Sequence, residues 1–261
     1  MPIHKNISVI IVTYNNEKTI KKCIDAILKY SPGAEVIIVD NASEDRTCEI
    51  VGKFRQVILI ESTTNLGFAK ANNLGIKKAN GSFFVFLNPD AYLTNQGDLE
   101  KLRDALIENS DYGLIGPRLI SLDGKVQKSV RRLPTAWKAF QEYILGTESA
   151  YDFYQPKCTH LCEVESVTGA CMIVHENLFK KLKGFDEKYF LYFEDLELCK
   201  SVKNKGFKVG YLPEVKIQHL VGVSGNKQPT SKFLHTSAKK YHGLINYYLI
   251  QLIIKINNCF H

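Results

Sequence analysis

The chain has 261 residues, enough to bury a substantial core as one large α/β domain or two modest ones. At 45% apolar and 23% charged residues, its composition is that of a globular protein and excludes a disordered chain. Its formal net charge of +7 comes without zinc-finger spacing, an RNA-binding aromatic pair or a long Arg/Lys block. Nucleic acid is therefore not expected as a partner, and the charge leaves phosphate-bearing substrates, anionic lipid or simple solubility open.

Ile7–Val12 is a nearly continuous β-branched run broken by Ser8, which predicts a strand buried on both faces. Glu17–Tyr30 follows with Ile20, Ile24, Ile27 and Leu28 at helical spacing. Val36–Val39, Val57–Ile60 and Phe83–Leu87 read as further strands, alternating with helices over Glu44–Phe54 and Leu66–Ala79. Such alternation implies βαβ units and a mostly parallel sheet. A helix over Asp98–Asn109 and a short strand over Tyr112–Ile115 come next. Gly116–Pro134 is rich in turn formers, with Asp123-Gly124 as a hairpin turn between short strands.

Trp137–Leu145 reads as a short helix and Glu163–Val174 as one longer strand carrying Thr168-Gly169-Ala170. Glu176–Lys181 is a helical turn, Phe193–Lys205 a helix stopped by Gly206, and Val209–Leu212 and Val215–His219 are strands around Pro213. A polar linker from Val221 to Pro229 leads to a single helix from Ser231 to about Ile256. One domain is expected over residues 1–230, a nucleotide-binding half to 110 and an acceptor-facing half beyond. A helical extension is expected over 231–261.

The opening MPIHKN lacks a signal peptide's apolar stretch, and no segment reaches the roughly 20 apolar residues needed to span a bilayer. With seven cysteines and no secretion signal, reduced thiols in a cytoplasmic protein are expected. The cluster CTHLC matches no common zinc spacing, so ordinary cysteines are expected there.

In an open α/β sheet, ligands bind beyond the carboxyl ends of the strands. Thr13-Tyr14-Asn15, Asp40-Asn41, Asn65-Leu66-Gly67 and Asn88-Pro89-Asp90 all follow strands and so converge on that edge. No GxGxxG or Walker A sequence is present, which argues against dehydrogenases and P-loop nucleotidases. Asp40 can accept from the imide N–H of a pyrimidine or simply form a turn. Tyr14 can stack on a base or serve as a half-buried anchor. Asp90 is a candidate ligand for Mg²⁺ or Mn²⁺ bridging two phosphates, with Asn88 shaping its turn.

Further on, Glu194 and Asp195 open a helix beside Phe190, Tyr192 and Phe193. Carboxylates complement a helix N-terminus, but an apolar wall also raises their pKa and improves a general base. Cys199 belongs to the buried stripe, His219 is a possible metal ligand, and Asp186 a possible cap or acceptor contact.

These stretches, in order SVIIVTYNN, VIIVDNASED, NLGFAKANNLGI, FFVFLNPDA, VTGACMIV and GFDEKYFLYFEDLELCKSVKNKGFKVGYLP with His219, closely resemble family 2 glycosyltransferases. The resemblance covers roughly residues 7–224 and is strongest to the bacterial rhamnosyltransferase-like branch. It implies a GT-A fold, a Rossmann-like sheet flanked by helices, and inverting transfer. Asn88-Pro89-Asp90 stands where the family has an Asp-x-Asp motif, which leaves the metal to Asp90 with His219 as a second ligand. Asp40 would then read the base, and Thr13, Tyr14 and Asn15 line the nucleoside pocket. Asn65, Gly67 and Asn72 would shape the donor side, and Thr168, Gly169 and Ala170 the acceptor floor. Asp195 would be the general base with Glu194 its neighbour. The family often has Arg where this chain has His175 and Ser201, so no contact is carried over to those positions.

By the same resemblance the donor would be dTDP-L-rhamnose, with UDP- and GDP-sugars as alternatives. The acceptor would be a glycan or polyprenyl-diphosphate-linked unit of a cell-surface polysaccharide. The tail LINYYLIQLIIKI, with Lys232, Lys239 and Lys240 before it, fits peripheral contact with the inner membrane, packing on the domain, or a homodimer. Arg131-Arg132 is either a solvated pair or part of a loop over donor phosphates. A nucleotidyltransferase is disfavoured by TYNNEK after the first strand, where a Gly-rich basic loop would stand. A non-catalytic glycan-binding protein is disfavoured by the intact Asp90 and Asp195 contexts.

Overall fold

Strand β1 (Ile7–Thr13) divides its side chains between two cores, as its apolar run requires. Ile7, Val9 and Ile11 face one side and Ile10 the other. Ser8, the polar break in the run, is fully buried and donates to Glu35 Oε2 at 2.5 Å while accepting from Gly81 N–H at 2.8 Å. The same division recurs in β4 (Phe83–Leu87), whose Phe84 and Phe86 oppose Phe83, Val85 and Leu87. The structure is a computed structural model and describes residues 7–220 and 230–260. The expected linker from Val221 to Pro229 lies outside the described residues.

Strands β2 (Glu35–Asp40) and β3 (Val57–Glu61) lie parallel to β1, which also pairs in parallel with β4. Beyond β4 the sheet is mixed rather than parallel. Strand β5 (Ala91–Leu93) follows the NPD turn, β6 spans Tyr112–Ile120, and β7 (Val130–Arg131) pairs with β9 (Ser166–Val167) in a separate ribbon. Strands β8 (Cys162–Val164), β10 (Cys171–His175) and β11 (Lys208–His219) complete the main sheet, ordered β3-β2-β1-β4-β10-β6-β11-β5 with β8 on β11. Strand β10 is antiparallel to both β4 and β6, whereas β11 is parallel to β6 and antiparallel to β5 and β8.

Helices α1 (Ile20–Tyr30), α2 (Thr47–Val51) and α4 (Asp98–Glu108) cover one face, through Ile20, Ile24, Ile27, Val51, Leu99 and Leu102. On the other face lie α3 (Phe68–Ile76), α6 (Glu176–Lys181) and α7 (Glu194–Asn204), through Ala69, Phe179, Leu198 and Val202. Helix α5 (Ala136–Tyr143) is capped by Thr135, whose side chain accepts from Lys138 N–H.

Further expectations change. The stretch Glu163–Val174 is three strands, because Glu165 and the segment 168–170 turn away from the ladder. The pair of strands around Pro213 is one strand, β11, with a register shift between Leu212 and Lys216 that accommodates the proline's missing N–H. The C-terminal helix is two, α8 (Thr230–His242) and α9 (Leu244–Phe260), separated by Gly243 at φ 74°. Finally, Cys158 and Cys162 are joined as a disulfide, so reduced thiols do not describe that pair. Cys23, Cys48, Cys171 and Cys199 are free. Asp123-Gly124 does make the expected turn, with Gly124 at φ 81°, closing a bridge between Ile120 and Val126.

Candidate active site

The reversed direction of β10 sets its N-terminal end beside the C-terminal ends of β1 and β4. Thr168-Gly169-Ala170, which lead into β10, therefore meet the NPD turn, and Asn88 N–H donates to Ala170 O at 2.9 Å. A cavity of about 480 Å³ opens at this junction. Tyr14, Asn65, Gly67 and Asn88 line it from the strand ends, and Thr168, Gly169, Ala170, Glu194 and Asp195 line the opposite wall. Phe153, Phe190, Tyr192 and Phe193 give it a largely aromatic rim.

Two consecutive residues aim the carboxylates. Tyr192 and Phe193 adopt φ 68° and 70°, a left-handed conformation costing about 1–3 kcal/mol per bulky residue. Packing offsets it: Phe193 is buried against Tyr241 and Leu196, and Phe190 stacks on Phe233 at 4.6 Å. The loop is pinned at Phe190 O, which accepts from Phe68 N–H at 2.7 Å, and at Leu191 O, which accepts from Ser237 Oγ at 2.7 Å. Gly67 belongs to this contact. It stands at φ 78°, and a Cβ there would lie 2.3 Å from Phe190 O. Its glycine therefore admits the aromatic loop, a reason different from close approach to a donor.

Helix α7 begins directly after the strained pair, so Glu194 and Asp195 occupy its first turn. Asp195 Oδ2 accepts from Gly169 N–H at 3.0 Å and Oδ1 from Leu196 N–H at 2.8 Å. Burial raises its pKa, against the lowering effect of those N–H groups and of Arg131. Glu194 is 6% exposed, and its Oε2 has no hydrogen-bond partner. Burial, reinforced by the charge of Asp195, holds the Glu194 carboxyl well above the usual range. Burial thus raises both acids.

Arg131 is the one basic side chain lining the cavity among the described residues. Its Nε donates to Tyr151 O at 2.6 Å, and its guanidinium lies 4.5 Å from the Tyr151 ring centre. It is thus held as part of the wall, while Arg132 does not line the cavity.

Around the cavity, Asp90 and His219 form a second cluster. The antiparallel β5–β11 register brings Ala91 opposite His219, and Leu220 N–H donates to Asp90 O at 3.0 Å. His219 Nε2 comes to 3.6 Å from Asp90 Oδ1, and Nδ1 meets Gln127 Oε1 at 3.1 Å. Burial lowers the His219 pKa, partly countered by Asp90, and so favours the neutral ring that can ligate. Among the described residues no group of three or more His, Cys, Asp or Glu converges, so this pair offers two protein donors.

Several candidates serve the frame. Thr13 Oγ1 donates to Asn16 Oδ1 at 3.1 Å, and Asn15, at φ 56°, accepts from Glu44 N–H at 2.8 Å. Asp40 is 2% exposed, with Oδ2 accepting from Ser43 N–H at 2.8 Å and Oδ1 without a hydrogen-bond partner. Asn72 does not line the cavity; its Nδ2 donates to Phe68 O at 2.9 Å within α3. Asp186 also stands apart, paired with Lys188 Nζ at 2.6 Å on the wall of a separate hollow. Residues that the sequence reading did not single out are Asn16 and Gln127, and Asn41 was named there with Asp40 at a strand end but given no role. Asn41 ties two loops together, donating to Asn65 Oδ1 at 2.9 Å and accepting from Leu66 N–H at 2.8 Å. Only the Asn-rich strand ends hinted at it.

Residues 8–182 match the family model described as "Glycosyl transferase family 2". The chain belongs to this family. It is 27% identical over 219 residues to a low-salt glycan biosynthesis hexosyltransferase of Haloferax volcanii, covering 82% of this chain and 67% of that protein. It is 26% identical over 242 residues to an N-acetylglucosaminyl-diphospho-decaprenol L-rhamnosyltransferase of Mycobacterium tuberculosis, covering 85% and 78%. A mannosyltransferase from Pyrobaculum calidifontis, solved with GDP-Man and Mn2+, superposes with a TM-score of 0.62 at 19% identity, covering 95% of this chain and 64% of that one. GalNAc-T7, solved with UDP, GalNAc and Mn2+, superposes with a TM-score of 0.65 at 16% identity, covering 88% and 47%. This family 2 chain thus spans less than two thirds of those two solved chains. Their likeness establishes the fold, a GT-A-like α/β sheet flanked by helices and followed by a helical segment.

Proposed function

We propose that this chain transfers a sugar from a nucleotide-sugar donor to a glycan hydroxyl, by a single displacement with inversion. The observation that carries this reading is a cavity shared by strand-end polar residues and a buried carboxylate, Asp195, held by two backbone N–H groups. Each oxygen of Asp195 keeps acceptor capacity beyond its one backbone bond. Asp195 takes the proton of the attacking hydroxyl, and its burial makes it a stronger base than an exposed aspartate. Glu194, kept protonated by its surroundings, donates a hydrogen bond to a sugar hydroxyl and leaves the base as the ionised partner. Thr168-Gly169-Ala170 floor the acceptor side, and the aromatic rim excludes water and offers faces for sugar rings.

On the donor side, Tyr14, which lines the cavity, stacks on the base, while the buried Asp40 holds the turn behind it through Ser43 N–H. Asp90 and His219 would hold a divalent cation, and imidazole with carboxylate suits Mn²⁺ at least as well as Mg²⁺. Such an ion supplies charge neutralisation at the departing diphosphate. Gln127 fixes the His219 ring so that Nε2 faces Asp90.

A UDP- or GDP-sugar is the donor we favour, since both nucleotides are named with the fold neighbours. The second reading is dTDP-L-rhamnose, supported by the similarity to an L-rhamnosyltransferase. Acceptor-dependent nucleoside diphosphate release from UDP-, GDP- and dTDP-sugars, with and without Mn²⁺, tests the reading. Release lost in Asp195→Asn establishes the transferase and names the donor. Equal release in that variant would overturn the assignment of the base.

A further inference from the structure

Helix α9 is apolar on two faces. Ile250, Ile253 and Ile254 pack with Ala139, Phe140 and Tyr143 of α5, and Tyr247 is buried against His235 of α8. Ile245, Tyr248, Leu249, Leu252 and Ile256 recur at i, i+3, i+4, i+7 and i+11 and form the opposite stripe. All five are exposed, Ile245 by 85% and Leu252 by 54%. A stripe of this length on a helix already packed on its other side is an interaction surface rather than scattered exposure. Helix α5, beneath it, also exposes Trp137, and Ile144 and Leu145 just after it are exposed too.

Charge decides between occupants. From Val215 to His261 the sequence contains no Asp or Glu. Lys232, Lys240 and Lys255 are exposed and Lys239 half-exposed, and among the described residues none of the four has an ion-pair partner. A second copy docking through the same face would bring cations against cations with no acid to receive them. An anionic surface would receive the apolar stripe with Lys255 on the same helix, while the lysines of α8, Lys240 donating to Lys188 O, add positive charge nearby in the chain. No helix among the described residues is long and apolar enough to cross a membrane, so α9 would lie in the plane of the headgroups.

We propose that the exposed stripe of α9, with Lys232, Lys240 and Lys255, is a docking surface for an anionic lipid bilayer. The surface is mechanically joined to the cavity. Helix α8 precedes α9, contributes Leu234 to the cavity wall, and holds the aromatic loop through Phe233 and Ser237. This proposal does not depend on the identity of donor or acceptor.

Co-sedimentation of the full chain with phosphatidylcholine vesicles, with and without phosphatidylglycerol, tests it. Binding is expected to the anionic vesicles only and to weaken as salt rises. Ile245→Ser/Leu252→Ser should weaken it by about tenfold or more, and Lys232→Gln/Lys255→Gln severalfold, with circular dichroism and donor turnover in solution unchanged. Failure of the wild type to sediment with anionic vesicles overturns the proposal. So does a dimer in light scattering that Ile245→Ser/Leu252→Ser converts to monomer, since that assigns the face to a second copy.

Discussion

The backbone N–H of Gly169 donates to Oδ2 of Asp195 at 3.0 Å, joining the residue pair across 26 positions of sequence. It fixes the orientation of a carboxylate whose burial would otherwise favour its neutral form. Leu196 N–H and the charge of Arg131 act in the same direction.

The rate should therefore rise with pH through an apparent pKa above that of an ordinary aspartate, as Asp195 ionises. Arg131→Gln removes a cation that favours the ionised form, so the acid limb should move to higher pH. Asp195→Asn should lower kcat/KM by about 10³-fold or more while leaving donor affinity within a few fold. Full pH–rate profiles and donor titrations by calorimetry check all three.

Glu194→Gln distinguishes a neutral from an ionised side chain. If Glu194 acts as its acid form, the amide keeps a donor and activity falls by only about tenfold or less, whereas Glu194→Ala loses more. Its raised pKa also has a sign in stability. The contribution is fully present below the unfolded-state pKa and is lost as pH rises through the folded value, so Glu194→Gln should flatten that decline. Thermal melts across the carboxylate range and up to neutrality measure it.

Gly67→Ala should destabilise the chain by about 2 kcal/mol or more, because the new Cβ meets Phe190 O at 2.3 Å in a left-handed backbone. Gly97→Ala is the control: its φ is the same 78° but nothing lies within 4 Å of its Cβ. Urea unfolding should show Gly67→Ala as the costlier substitution, and its KM should rise as the aromatic loop shifts.

Removing a donor from the Asp90–His219 pair should weaken Mn²⁺ activation. Asp90→Ala is expected to raise the Mn²⁺ concentration for half-activation by about tenfold or more, and Gln127→Leu by less, through loss of ring orientation. Electron paramagnetic resonance titration of Mn²⁺ with nucleoside diphosphate provides a readout independent of turnover.

His242, whose ring meets Phe193 edge-on at 5.6 Å, has its pKa lowered to about 4 by burial and then by Arg131 and Lys200. Its contribution is present above about pH 6.5 and lost as pH falls toward 4, on the order of 2 kcal/mol after discounting for solvent. His242→Gln should reduce the acid-induced fall in Tm over that interval.

Much of the frame was legible because it rests on short-range signals. Ile7–Val12 announced a two-sided strand, and Phe83–Leu87 was bounded correctly by Ser82 and Asn88. The convergence of Tyr14, Asn65, Asn88 and Asp195 on one cavity followed from strand-end placement and the family pattern. What the sequence hid depends on partners distant in the chain. The break of 163–174 into three strands reflects pairing of β8 with β11 and β9 with β7, which no local periodicity encodes. Arg131 could be read as a solvated charge until Tyr151 and Phe153 were seen to hold it in the wall. Asp186 took the first of its two readings, a cap: its Oδ1 accepts from Lys188 N–H at 3.1 Å, on the wall of a separate hollow.

Strand β5 pairs with β11 alone, although it follows β4 within a few residues of sequence. A nascent chain emerging from the ribosome therefore carries the acidic turn long before the strand that docks beside it exists. Until residue 219 has been made, β5 has no ladder to join and Asp90 no imidazole alongside. Folding of the first half can start during synthesis, yet turnover must wait for the last strand of the sheet. Chains cut off after the family-matched region at residue 182 should then be catalytically silent by-products, not weak enzymes.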